Sequence, residues 1–172
     1  MEFENKRFES KVFKSENFSN KSLKNSYFLD CVFEDCNLSN AILKNTKIQD
    51  CSFNNCKLLG LNFAECNRLF LSFSFENCLI SMSYFSDLDL KNTLFKDSQV
   101  MDCEFNKTNL TKSSFENSNL KGTIISNCNL SFASFKNAKN YNIDPNQNFI
   151  KKTIFSIPEA VGLLSKFDIK FE

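Results

Sequence analysis

Between Phe28 and Phe63 every fifth residue is large and apolar: Phe28, Phe33, Leu38, Leu43, Ile48, Phe53, Leu58, Phe63. Two residues before most of them stands a small one: Ser26, Cys31, Cys36, Ala41, Thr46, Cys51, Cys56. Asn, Ser, Asp and Lys fill the gaps. A helix repeats its buried face every 3.6 residues and a strand every two, so a strict five fits neither. A fixed short period over most of a chain marks a solenoid. The simplest geometry is a square coil, with one five-residue unit per side and its large residue pointing to the axis. Four units then make one coil, and coils stack at about 4.8 Å.

Residues twenty apart should therefore share a column. Phe13, Phe33 and Phe53 do, and after one slip Phe75, Phe95, Phe115 and Phe135 continue the file. Another side is aliphatic: Leu38, Leu58, Ile80, Val100 and Leu120, with Phe18 at its start. Offset ring stacking adds to burial in the first file.

The units "CNLSN" at 36–40, "TNLTK" at 108–112, "SNLKG" at 118–122 and "CNLSF" at 128–132 are similar to the A(D/N)LXX consensus of pentapeptide-repeat proteins. The resemblance covers nearly all of residues 1–140. It implies an all-β solenoid, a right-handed quadrilateral β-helix of about seven coils. One fold hosts many activities, so the resemblance speaks to fold first.

Three segments depart from the pattern. Residues 1–25 keep the large positions (Phe3, Phe8, Phe13, Phe18, Leu23) but place Lys6, Lys11, Glu16 and Lys21 at the small ones. Burying unpaired charge is costly, so an irregular first coil is expected. Residues 64–74 break the register by two, moving the large positions from Phe63 to Phe70 and Phe75, with a bulge expected around Asn67–Leu69. Asn140 ends the file, and a capping module is expected over 141–172. There "YNIDPNQN" reads as a loop. Ser156 and Glu159 fit a capping box with Pro158 in the first turn. Ala160, Leu163, Leu164 and Phe167 make the stripe of an amphipathic helix over about 157–166. "DIKFE" reads as a short final strand. This tail resembles the C-terminal module of Qnr and MfpA-type quinolone-resistance proteins, which implies a homodimer through it.

The chain has 172 residues, and one domain is the default. No signal-peptide pattern and no apolar run of about 18 residues is present, so a cytoplasmic protein with no membrane contact is expected. All eight Cys fall on the small position of the frame if Cys66 is counted before the slip. Free Cys as a small buried hydrophobe explains that register better than a disulfide framework. Cys31, Cys36, Cys51 and Cys56 come close enough to raise a zinc site, but they lack a tight C-x₂-C turn.

The chain has no His, which removes the usual general base and most catalytic metal sites. Its three Gly stand alone, so no phosphate loop exists. Glu34 and Asp35, or Asp87 and Asp89, sit on solvent-facing positions, and a narrow packed coil leaves no room for a pocket. A non-catalytic protein without cofactor or metal is expected, acting by binding.

Three kinds of partner follow. The first is a protein held on an apolar patch of Leu59, Leu69, Leu71, Phe73, Leu79, Met82 and Met101, since contiguous exposed apolar surface often marks contacts. The second is implied by the resemblance: mimicry of DNA toward a type II topoisomerase such as gyrase. That needs a negative surface, because duplex DNA carries one charge per about 1.7 Å. Residues 28–106 hold eleven acids against six bases, and residues 107–140 hold one acid against five bases. The third is nucleic acid held by Lys107, Lys112, Lys121, Lys136 and Lys139. Sparse charges and a net charge of +1 argue against it.

Overall fold

A large residue every five positions produces four flat walls around a narrow apolar axis. The structure, a computed structural model, describes residues 3–167 and Ile169. It is a β-solenoid of about seven coils. We name the walls A to D in chain order from Phe8. Wall A carries Phe8, Phe28 and Ile48; wall B, Phe13, Phe33 and Phe53; wall C, Phe18, Leu38 and Leu58; and wall D, Leu23, Leu43 and Phe63. Their short strands pair in parallel between coils: Phe8 with Phe28 and Ile48, Phe13 with Phe33 and Phe53, and Leu58 with Ile80 and Val100.

The corners explain the polar residues of the repeat. Two residues after each large one the chain turns with positive φ, for example Asn25 at 55°, Asp30 at 52°, Asp35 at 54° and Asn45 at 55°. Asn and Asp enter this left-handed region more readily than other non-Gly residues. Their amides also bond up the rod: Asn25 Nδ2 donates to Asn5 Oδ1 (3.1 Å), and Asn45 Nδ2 to Asn25 Oδ1 (3.0 Å).

The small residues have a matching role. The threonines among them reach down to the coil beneath and donate to a carbonyl of a large residue there. Thr46 Oγ1 donates to Leu23 O (2.8 Å), Thr108 Oγ1 to Phe85 O (2.8 Å) and Thr123 Oγ1 to Val100 O (2.7 Å).

The first coil is regular, contrary to the expectation from its charged small positions. Arg7–Glu9 and Val12–Lys14 pair in register with the second coil. The small position points toward the preceding coil, and beneath this one the described chain places none. Lys6, Lys11 and Glu16 are exposed. Lys11 Nζ lies 4.7 Å from the Phe13 ring centroid and 5.4 Å from that of Phe8, and Lys21 Nζ lies 5.0 Å from that of Phe3. The ammonium groups lid the open end of the aromatic core through cation–π contacts.

The file on wall B runs Phe13, Phe33, Phe53, Phe75, Phe95, Phe115, Phe135 and Phe155. Successive ring centroids are 4.6–5.3 Å apart and near parallel. The repeat therefore continues past Asn140. Ile143 pairs with Ile125, and Phe155 with Phe135. Wall D arrives two residues early after Asn140, and the 144–147 loop restores the count, so Phe149 and Phe155 return to a spacing of twenty from Asn129 and Phe135. Tyr141 packs over Phe135 and Phe155.

The terminal helix differs from its expected form. It is a 3-10 helix over Glu159–Phe167, in place of an α-helix over 157–166. The capping box does not form: Ser156 Oγ instead accepts from Asn137 N–H of the coil beneath (2.9 Å). The expected strand over 168–172 lies outside the described residues, apart from Ile169.

Candidate functional site

The slip of two residues is absorbed between Cys66 and Phe73. A 3-10 turn at Phe63–Glu65 comes first, and Phe53 then pairs with Phe75, twenty-two residues on. Both ends of the insertion are pinned to the coil below. Asn67 Nδ2 donates to Asn45 Oδ1 (3.2 Å), and Leu69 N–H donates to Asn67 Oδ1 (3.0 Å). At the other end Ser72 N–H donates to Ile48 O (3.0 Å), Asp50 N–H to Ser72 Oγ (2.7 Å), and Ser72 Oγ–H to Asp50 Oδ1 (2.8 Å).

Between the pins the chain reverses the inside-outside order that the frame dictates. Phe70, the in-frame large residue, is 68% exposed, and Leu69 is 62% exposed. Phe73 stands at a small position yet is buried, with its ring 5.2 Å from Phe63 and 5.1 Å from Phe75. Leu71 is half-buried against the core. Phe73 and Leu71 thus supply apolar volume that Phe70 withdraws. Phe70 also holds φ at 60°. That conformation costs a residue with a Cβ about 1–2 kcal/mol. A bulky apolar side chain is here held outside the core by an anchored segment, in a left-handed conformation that the corners of the rod otherwise give mainly to Asn and Asp.

The seven-residue patch therefore does not assemble. Phe73 is internal and Leu71 partly so. Leu69 projects from wall A, whereas Leu59, Leu79, Met82 and Met101 belong to wall C, on the opposite side of the square. There Met82 is exposed, while Leu59, Leu79 and Met101 are half-buried. What sequence reasoning missed is Phe70. The signal was the excess of apolar residues in "RLFLSF", more than one wall can bury.

Wall B shows no acidic stripe. Its outward file alternates: Lys14, Glu34, Asn54, Glu76, Lys96, Glu116, Lys136. Lys14 Nζ meets Glu34 Oε2 at 3.4 Å, and Lys96 Nζ meets Glu76 Oε1 at 3.1 Å. Exposed pairs of this kind add little stability, but they cancel the field along that face.

Outside the tube, the 142–147 loop and wall D enclose an open cavity of about 300 Å³, lined by Thr123, Ile124, Asn142, Asp144 and Gln147 among others. A loop forms it, which is why the packed coil gave no hint of it. The Asp144 carboxylate is already engaged, accepting from Asn146 N–H (2.9 Å) and Gln147 Nε2 (3.0 Å). All eight Cys are buried and free. Among the described residues no three His, Cys, Asp or Glu side chains group to hold a metal ion. No helix among them is long and apolar enough to cross a membrane.

At the C-terminal end Leu163 packs partly buried against the core and Ala160 is half-buried. Ile157, Val161, Leu164 and Phe167 are exposed. The stripe read from sequence thus divides between an inner and an outer face.

These features define a square repeat rod with one displaced aromatic on its side and an apolar end. A pentapeptide repeat region profile matches residues 26–104, and a profile of eight pentapeptide repeats matches residues 102–139. The chain belongs to the pentapeptide-repeat family. Among solved structures it is similar to a trypsin-treated form of QnrB1, described as a plasmid-mediated fluoroquinolone resistance protein. The identity is 17% and the TM-score 0.53, over 99% of this chain and 92% of that one. A second QnrB1 form gives 17% and 0.49, over 99% and 93%. HetL, a pentapeptide-repeat protein involved in heterocyst differentiation regulation in the cyanobacterium Nostoc sp. strain PCC 7120, gives 9% and 0.34, over 86% and 84%. At such identities the likeness concerns fold. No curated protein matches the sequence.

Proposed function

We propose that this protein is a non-catalytic, cytoplasmic binding rod whose contact with a protein partner centres on Leu69 and Phe70. The observation that carries this reading is Phe70 held outside the core at a positive φ, although the frame assigns it an inward place. The pinned ends fix the apex before binding, so little ordering entropy is spent on contact. Exposed aromatic anchors of this kind dominate binding energy at interfaces. Pairing of two copies through the C-terminal module fits the exposed Ile157, Val161, Leu164 and Phe167.

Phe70→Asn separates the two roles of this residue. Asn suits the left-handed corner, so the variant should match the parent in stability or exceed it by up to about 1 kcal/mol, read by urea unfolding. The same variant, combined with Leu69→Ser, should lose a partner retained by the parent on affinity capture from the native host. Undiminished capture of that partner by the double variant would remove the apex from the contact.

A second reading is mimicry of DNA toward a type II topoisomerase. It is favoured by the acid excess of residues 28–106 and opposed by the alternating charges of wall B. Gyrase supercoiling assays with and without the protein test it, and an unchanged rate at saturating protein would end it.

A further inference from the structure

Near its C-terminal end the rod exposes large apolar side chains along the edge between walls A and B. Phe149 projects from wall A and is 73% exposed, Phe132 stands exposed at the corner, and Ile154 projects exposed from wall B. The register of the last two coils groups them: Phe149 pairs with Asn129, Phe132 N–H donates to Lys151 O (2.9 Å), and Ile154 pairs with Ser134. Leu130, Phe135, Ile150 and Phe155 already take the inward places there.

Cations stand among these side chains. The corner column runs Lys112, Phe132, Lys152, each with positive φ, and Lys152 Nζ lies 5.6 Å from the Phe132 ring centroid. Lys112, Lys136, Lys151 and Lys152 are all exposed. Residues 107–158 hold seven bases against two acids, the reverse of the balance over residues 28–106. Of the two acids, Glu116 accepts from Ser134 Oγ–H (2.8 Å), and Asp144 is engaged by Gln147 within its own loop. Coils follow one another along the axis, so the rod is electrically polar along its length, with this apolar edge at the positive end.

We propose that this edge is a peripheral docking site for an anionic lipid surface. Phe132, Phe149 and Ile154 enter the headgroup layer, and the lysines lie over the negative headgroups. The edge is convex and its apolar side chains leave two walls of the square, a shape that a deformable layer can enclose. The cations are all Lys, compact charges that need no fixed acceptor geometry. Ile154 adds apolar area, which strengthens binding at a lipid interface, but it offers a nucleic acid no ring for a base to stack on. The acidic stretch over residues 28–106 is repelled by the same surface, which turns the C-terminal end toward it. Nothing spans the bilayer in this arrangement, and the contact uses neither Leu69 nor Phe70.

Sedimentation with sucrose-loaded vesicles tests this, using phosphatidylcholine alone and phosphatidylcholine mixed with phosphatidylserine. The parent should bind the mixed vesicles, bind the neutral ones far less, and lose binding as salt screens the surface charge. Lys151→Gln with Lys152→Asn should weaken binding to the mixed vesicles about 25-fold, about fivefold for each charge. Phe149→Ser with Ile154→Ser should weaken it about tenfold. Both pairs change exposed side chains only, so each should melt with the parent. Phe70→Asn and Met82→Asn, on other parts of the rod, should bind as the parent does. Equal binding to the two vesicle types, binding unaffected by either pair, or loss in the Phe70→Asn or Met82→Asn variant would overturn the proposal. So would a single-stranded oligonucleotide that binds through the same residues while the vesicles do not.

Discussion

Phe53→Ala is expected to lower the unfolding free energy by about 3–5 kcal/mol, the range for truncating a buried aromatic. The Phe53 ring is 1% exposed and lies between Phe33 and Phe75, with centroids at 4.6 and 5.2 Å. Ring pairs add about 0.5–1.5 kcal/mol beyond area burial, so the loss includes two stacking contacts as well as the void. A solenoid's stability is close to a sum of coil and neighbour terms. A gap in the third coil should therefore weaken coupling between the coils on either side and broaden or split the urea transition. A midpoint equal to the parent's would show that Phe53 does not pack as described. Phe70→Ala is the contrast, since the same residue type outside the core should change stability by less than about 0.5 kcal/mol.

The second large effect is a loss of stability in alkali. Burial pushes the Cys51, Cys66 and Cys103 thiols up to about 12, from an ordinary value of 9.0. Above pH 9 the unfolded chain ionises these thiols while the folded chain keeps its protons. The unfolded state then binds fewer protons, and stability falls as pH rises. The contribution is complete below about pH 9 and is withdrawn up to about pH 12. The slope rises toward about 1.4 kcal/mol per pH unit for each thiol, and because each unfolded thiol is only half ionised at pH 9 the three together withdraw about 3 kcal/mol between pH 9 and 10. Urea midpoints at pH 8, 9 and 10 read it directly. Cys51→Ser with Cys103→Ser should flatten the slope, because Ser113 and Ser83 already occupy those columns. A pH profile that the serine variant shares with the parent would assign the loss to other groups.

Much of this architecture is legible in the chain because one rule is repeated. A large residue every fifth position, with Asn or Asp two places later, specifies wall and corner together, and the twenty-residue file of Phe follows. The rule misleads where its premises change. A charged small position is costly only if a coil lies beneath it, and the described residues place none beneath Lys11, so the first coil is regular. After Asn140 the spacing runs short and then long, and Ile143 falls two residues ahead of the frame while Ile150 and Phe155 return to it. The step of twenty from Phe135 to Phe155 was nevertheless present to be found. At the slip, Leu69, Phe70, Leu71 and Phe73 all qualify as inward residues by type. Which two turn inside depends on the volume left by Phe63 and Phe75 and on the anchoring of Ser72 to Asp50, neither of which a period records. The candidate site was visible as an anomaly, but its exposed residue was not.

The lysine lid on the first coil bears on how large an object this chain can make. Stacked coils are interchangeable in principle, and an open parallel edge invites another strand. Molecules meeting by their ends could lengthen one another without limit. To accept a coil against that face, Lys11 would have to surrender solvent and its two rings at once, at several kcal/mol for a desolvated charge. The same aromatic column that makes the rod cohesive thus carries, on the first described coil, ammonium groups that make stacking of a further coil against that face costly.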